Sequence, residues 1–291
     1  MKSFLKFSAI ALALTLLVSI AAGCAGGKEP DVTTTAADES AAASAADSSS
    51  FGKVLVATNP EFEPYEYLDE NDNIVGFDAD LVNAIGEIIG ADMEFVSMDF
   101  EAVIASVNSG ATDIAASGLT ITEDRKLSVN FSDPYYQVSQ IVITLADNAD
   151  FDGATKEEVD AQLKAGKTIG VCSGYTGEFY VTDPEEEGGL AVPESNVKSY
   201  KGISLALEDL RNGIIDAIVF DNTSAKAAIS TPGNEGKFKL NETVLTTEDY
   251  AIAVSFEKTE LLEAINSAIA QLKESGKLNE MLTANGIDVL E

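Results

Sequence analysis

The sequence predicts an α/β chain of two lobes, each a mostly parallel sheet covered by helices, with two chain crossings between them. Three observations predict it. From Lys53 onward, short apolar runs alternate with segments of helical period. The alternation occurs twice with matching landmarks, and a strand and a helix are left over at the C-terminal end. A strand-helix-strand-helix-strand order is the mark of an open parallel sheet with covering helices.

In the first copy, Val54-Leu55-Val56 reads as a buried strand, and Leu81, Val82, Ile85, Ile88 and Ile89 mark one helix face. Glu94-Phe95-Val96 is the next strand, Phe100, Val103, Ile104 and Val107 form a second helical stripe, and Asp113-Ile114-Ala115-Ala116 is the third strand. The second copy gives strands at Thr168-Ile169-Gly170-Val171 and Val197-Lys198-Ser199-Tyr200. A stripe at Ile203, Ala206, Leu207 and Leu210 and a strand at Ala217-Ile218-Val219-Phe220 complete it. Asn108-Ser109-Gly110 with Asp113 matches Arg211-Asn212-Gly213 with Asp216, helix end to strand start. The same offset sets Gly118 opposite Asp221, just past the carboxyl end of each strand, where open α/β sheets bind ligands. Two half-sites are therefore expected, with the ligand between them.

Tyr250-Ala251-Ile252-Ala253-Val254 reads as a strand, and Leu261 to Leu282 as one long amphipathic helix region (Leu262, Ile265, Ile269, Leu272), both returning to the first lobe. Lobe one is then residues 51–138 and 247–291, and lobe two residues 139–246. The crossings fall near 137–142 and 244–250, a hinge geometry suited to closing around a ligand.

Composition narrows the function. Lys+Arg 18 against Asp+Glu 49 gives a formal charge of −31, which excludes the clustered cations that nucleic acid requires. There is no histidine, so Ser-His and Cys-His nucleophilic pairs and the usual zinc and iron ligand sets are excluded, and no cofactor is called for. Of the two cysteines, Cys172 sits in an apolar strand and reads as a buried free thiol.

Met1 to Cys24 reads as an export signal: Lys2 and Lys6, then an uncharged apolar run from Phe7 to Ile20, then Ala21-Ala22-Gly23 before Cys24. The apolar run is shorter than the about 20 residues a spanning helix needs. The arrangement resembles a bacterial lipoprotein signal, in which Cys24 would take the lipid. Residues 25–50 hold one sizeable apolar side chain, Val32, and read as a flexible linker between the lipid and the folded part. The protein is expected to be exported, tethered to the outer (or periplasmic) face of the cell membrane, and monomeric.

The chemistry concentrates after the third strand. In Ala116-Ser117-Gly118-Leu119-Thr120-Ile121-Thr122-Glu123-Asp124-Arg125, Thr122 is a helix N-cap that puts Arg125 in the first turn. A cation there opposes the helix dipole unless an anion binds, so Arg125 is the candidate for holding a carboxylate. Asp221 ends an apolar strand, where a carboxylate needs a partner such as a ligand ammonium; it could also cap the helix that follows. Gly174-Tyr175-Thr176-Gly177 exposes backbone N–H groups suited to an anion. Phe62, in the proline-bracketed loop Asn59 to Tyr65, and Phe100, at a helix start, could wall a ligand side chain.

Gly76-Phe77-Asp78-Ala79-Asp80-Leu81, the Gly118–Arg125 stretch, Phe131-Ser132-Asp133-Pro134-Tyr135-Tyr136 and Asp216 to Asp221 together resemble the bacterial solute-binding proteins of family 3, the polar amino acid receptors of ABC importers. The resemblance runs from Lys53 to the C-terminus and implies the type II periplasmic-binding-protein fold and an ABC permease as partner. It implies that Arg125 and the Thr120 backbone hold a ligand α-carboxylate, with Thr176 closing on it from lobe two. Asp221, the Gly118 carbonyl and the Thr120 hydroxyl would hold the α-ammonium, Phe62 and Phe100 would sandwich the side chain, and Ser117 lies next to this shell. Members that prefer basic amino acids often carry an acidic residue where this chain has Asn59, so a neutral polar ligand such as glutamine or cystine is expected. Glu61, Glu63 and Glu66 nearby could restore a cationic preference. Two other readings of the same fold stand beside this one: a ligand-sensing subunit of a membrane signalling system, and an arogenate or cyclohexadienyl dehydratase-like enzyme.

Overall fold

The computed structural model of the protein describes residues 51–185 and 188–289. The expected signal 1–24 with Cys24 and the linker 25–50 lie outside them. The chain opens with β1 (Gly52–Thr58), followed by β2 (Glu61–Phe62), β3 (Glu66–Leu68) and β4 (Ile74–Val75), a small antiparallel sheet in that order. Then come α1 (Phe77–Ile89), β5 (Ala91–Ser97), α2 (Phe100–Asn108), β6 (Ile114–Ala115), the short α3 (Glu123–Lys126) and β7 (Asn130–Phe131). The middle of the chain holds β8 (Tyr136–Leu145), α4 (Lys156–Leu163), β9 (Ile169–Cys172), α5 (Thr176–Thr182), β10 (Val197–Tyr200), α6 (Ile203–Arg211), β11 (Ala217–Asp221), α7 (Asn222–Ser230) and β12 (Phe238–Tyr250). β13 (Ala253–Val254), α8 (Thr259–Glu274) and α9 (Lys277–Ala284) close it.

Two five-stranded sheets organise these elements, in the orders β5-β1-β6-β13-β7 and β10-β9-β11-β8-β12. In each, three parallel strands are followed by two joined antiparallel. The fold is the two-lobed α/β architecture the sequence predicts. Helices form where one stripe is apolar: α1 buries Phe77, Leu81, Val82 and Ile85, and α6 buries Ala206, Leu207 and Leu210 against the sheets.

The internal repeat is visible in hydrogen bonds. Asp113 Oδ2 accepts from the Leu55 amide at 2.8 Å, and its counterpart Asp216 Oδ2 accepts from the Thr168 amide at 2.8 Å. Each aspartate thereby pins the start of β6 or β11 to the neighbouring strand, and so sets where that strand's carboxyl end falls.

Two expected elements come out differently. The region Leu261 to Leu282 is two helices, because Gly276 adopts a left-handed φ of 78° between α8 and α9; glycine takes that conformation freely and is a poor helix interior residue. Tyr250 to Val254 is not one strand. Tyr250 ends β12 in the second sheet and Ala253 begins β13 in the first, with Ala251 and Ile252 carrying the chain from one sheet to the other. Their amides bond to Leu119 O and Ser132 Oγ instead of to a ladder. The stretches where the crossings are expected are paired strand: β8 and β12 run antiparallel with Thr246 opposite Gln140 and Tyr250 opposite Tyr136.

Candidate functional site

The loop after β6 carries Ser117, Gly118 and Thr120, and α3 follows it. Thr122 caps α3 as expected, its Oγ1 accepting from the Arg125 amide at 3.1 Å. The Arg125 side chain folds back over the loop. Nη1 donates to Thr120 O at 2.8 Å, and Nη2 donates to Gly174 O at 3.0 Å, on the loop before α5. Its guanidinium lies 5.6 Å from the centre of the Phe100 ring. Burial pulls the Arg125 pKa down, while the nearby charges of Glu248 and Asp221 push it back up. One cation therefore spans the seam between the two sheets.

Asp221, at the end of β11, faces it. The residue is 3% exposed and occupies the N-cap position of α7, yet its side chain makes no capping bond. It accepts instead from the Tyr250 hydroxyl. Burial first, and then the charge of Glu248, push its carboxyl up to about 7, with the Tyr250 and Gln140 hydrogen bonds acting the other way. Asp221 has no ion-pair partner among the described residues, and a carboxyl that titrates near neutrality is ready to ionise when a cation arrives.

Gly118 admits no side chain. Its φ is 52°, and a Cβ would stand 2.5 Å from the Phe62 ring. Its amide donates to Asp78 Oδ2 at 2.9 Å, which also accepts from Tyr135 Oη at 2.8 Å. Ser117 is buried, donating to Glu66 Oε1 at 2.8 Å and accepting from the Asn59 amide at 3.0 Å. Burial pushes the Asp78 carboxyl up to about 6, and Glu66 well above its usual range.

Seven of the expected residues, Phe62, Phe100, Gly118, Thr120, Arg125, Thr176 and Asp221, line one small cavity with Tyr175. It measures about 10 Å³, the space of about one water. The reason is Tyr175. Its ring centre lies 4.3 Å from that of Phe100 and 5.5 Å from that of Phe62, so a tyrosine stands between the two expected aromatic walls. Phe62 also stacks on Tyr65 and meets Phe220 edge-on at 5.6 Å.

Asn59 opens instead onto an adjoining depression with Glu61, Asp99, Glu101, Ser173 and Lys201. Its Nδ2 donates to Met98 O at 3.0 Å, and its Oδ1, buried, has no partner among the described residues. Lys201 pairs with Asp99 at 2.9 Å, leaving Glu61 and Glu101 as the further carboxylates of that rim. Cys172 is a buried free thiol, pushed up by desolvation. No group of three or more metal-ligating side chains occurs among the described residues.

Sequence reasoning missed Tyr175, Gln140, Glu248 and Tyr250. Glu248 Oε2 accepts from Thr120 Oγ1 at 2.9 Å and Thr176 Oγ1 at 2.6 Å, and Gln140 Nε2 donates to Thr176 Oγ1 at 3.2 Å. The available signal was the alternation Thr246, Glu248, Tyr250 along one strand face, which places all three on the same side of β12.

Two sheets that bring a cation and a buried carboxyl to one seam have the groups to hold a small ligand carrying both charges. The family model for bacterial extracellular solute-binding proteins, family 3, matches residues 54–285, and the chain belongs to that family. Relatives include the probable histidine-binding protein of Neisseria gonorrhoeae, 32% identical over 231 residues, 79% of this chain and 82% of that one. ABC transporter arginine-binding protein 1 of Escherichia coli strain K12 is 33% identical over 231 residues, 79% of this chain and 88% of that protein. Among solved structures, an ancestral arginine-binding protein bound to arginine superposes with a TM-score of 0.70 at 35% identity, over 80% of this chain and 97% of that chain.

Proposed function

We propose that the chain is the substrate-capturing component of an ABC importer and that its ligand is an α-amino acid with a basic side chain. The observation that carries the reading is the convergence of Arg125 and Asp221 on one cavity at the carboxyl ends of β6 and β11. Arg125 takes the ligand carboxylate in a forked, charge-assisted pair, with the Thr120 backbone and Thr176 beside it. Asp221, the Gly118 carbonyl and the Thr120 hydroxyl take the ammonium. The names of the relatives, which bind histidine or arginine, support the amino acid class.

For the side chain, two observations favour a cation over the neutral ligand that Asn59 alone implies. The rim around Asn59 carries Glu61, Asp99 and Glu101 against the single Lys201. The buried Asn59 Oδ1 is an acceptor without a donor, which a guanidinium, ammonium or imidazolium N–H would satisfy. Phe62 and Phe100 flank the ligand side chain once Tyr175 withdraws, since a cavity of about 10 Å³ admits no amino acid while its ring is there. Entry then requires the lobes to part about the β8 and β12 crossings, breaking the Arg125 bond to Gly174.

The reading is one of binding without turnover. Of the buried carboxyls that desolvation raises, Glu66 and Asp78 do not line the cavity and are at most 1% exposed, and Asp221, which does line it, is taken up by the ligand ammonium. A thermal-shift screen of the twenty amino acids with ornithine and cystine tests the proposal, because a ligand that binds only the folded state raises the melting temperature. Arginine, lysine, ornithine or histidine should give the largest shifts. A largest shift from glutamine or cystine would restore the neutral reading, and no shift from any would remove amino acid capture.

The lipid tether is part of the same proposal. Cys24→Ser should release the protein from the membrane fraction without changing ligand affinity. A variant that still sediments with membranes would remove the lipid from the account.

A further inference from the structure

The hydroxyls of Thr120 and Thr176 both donate to one carboxylate, which comes from neither half-site but from the strand that leads from one lobe to the other. On β12, Thr246, Glu248 and Tyr250 share a face. Tyr250 donates to Asp221, Thr246 Oγ1 donates to Glu248 Oε1 at 2.6 Å, and Glu248 Oε2 receives the two threonines at 2.9 and 2.6 Å. A threonine hydroxyl has one proton to give and two lone pairs. With that proton directed at Glu248, each hydroxyl is left as an acceptor. Thr176 uses that capacity for Gln140 Nε2. Thr120 Oγ1 makes no second hydrogen bond among the described residues, and Thr120 lines the cavity with Asp221 and Arg125.

We propose that Glu248 is a positioning residue that fixes the Thr120 hydroxyl as a hydrogen-bond acceptor, so that this wall of the cavity selects an ammonium and refuses an anion. The inference rests on the amino acid reading above. The Thr120 backbone is held separately, because its carbonyl accepts from Arg125 Nη1 at 2.8 Å. Loss of Glu248 therefore frees the hydroxyl to rotate and donate while the loop stays anchored. What should change is the choice between an ammonium and its absence, rather than the grip on the carboxylate.

The test is calorimetric titration of the full chain with arginine and with the des-amino analogue of arginine, which keeps the carboxylate and the guanidinium. The variants are Glu248→Met, which has no oxygen to accept the Thr120 proton, Thr120→Val and the double variant, each checked for an unchanged melting profile. Wild type should prefer arginine. Glu248→Met should reduce that preference about tenfold, the scale of one hydrogen bond to a charged group. Thr120→Val, which has no hydroxyl to orient, should lose a similar factor, and adding Glu248→Met to it should cost nothing further. An arginine-to-analogue ratio that stays at the wild-type value in Glu248→Met, or equal losses for both ligands, would overturn the role of Glu248 and leave the amino acid reading intact. If wild type binds neither compound nor any amino acid of the screen, the amino acid reading itself falls, and this inference with it.

Discussion

Arg125→Ala is expected to weaken amino acid binding by at least about 3 kcal/mol, roughly a hundredfold or more in Kd. The guanidinium is the cation of the cavity lining, and the ligand carboxylate would otherwise enter a space walled by Phe62 and Phe100 without a cationic partner. Removing one member of a desolvated ion pair costs more than the pair contributes, because the other charge stays buried. Arg125→Lys keeps the charge but loses the fork that reaches both Thr120 O and Gly174 O, so it should fall between wild type and alanine. Isothermal titration with the ligand found in the screen measures both. A loss of less than tenfold in the alanine variant would mean that the carboxylate binds elsewhere.

The second large effect is on pH. The Asp221 carboxyl, raised to about 7 by burial and by Glu248, must ionise to receive an ammonium. Binding an ammonium lowers its pKa, so the bound protein holds fewer protons than the free one across that interval. By linkage, affinity should be level above about pH 7 and fall by up to about tenfold per unit as pH drops below it. Proton release per ligand bound should be about one half at pH 7 and approach one about a unit below it. Asp221→Asn should abolish this slope and, by leaving the ammonium without a counter-charge, weaken binding by about 2–5 kcal/mol. Asp78 and Glu66 are also raised, so the asparagine variant is the necessary control. A slope that survives in it would assign the titration to that buried pair.

Much of this is legible in the sequence. The apolar runs marked β6, β9 and β11, which are buried along their whole length, while the edge strands β5 and β10 are half exposed and are legible only from their place in the alternation. The repeat could be aligned because Asp113 and Asp216 do the same local job, accepting a main-chain amide at the start of their strands. Arg125 and Asp221 stood out because each breaks a local rule, a cation in a first helical turn and a carboxylate ending a buried strand. What sequence could not supply was long-range. Tyr175 looks like any loop aromatic until its ring is seen against Phe100 and Phe62. Glu248 looks like a surface residue of a polar strand until the pairing of β12 with β8 turns that face toward the seam. The division of Leu261 to Leu282 into two helices was readable from Gly276 but was overridden by an otherwise continuous apolar stripe.

The matched positions Gly118 and Asp221 have a stereochemical consequence. Two copies of one unit that ended alike would offer a guest the same groups from either side, and it could bind equally well in either direction. Here one copy ends in a glycine, whose place a methyl group could not share with Phe62, and the other in an acid. With Arg125 on the short helix beyond Gly118, that difference removes the degeneracy. On the proposed reading, head and tail of the guest are told apart by the host's own broken symmetry, and a third attachment at Asn59 would tell the guest from its mirror image.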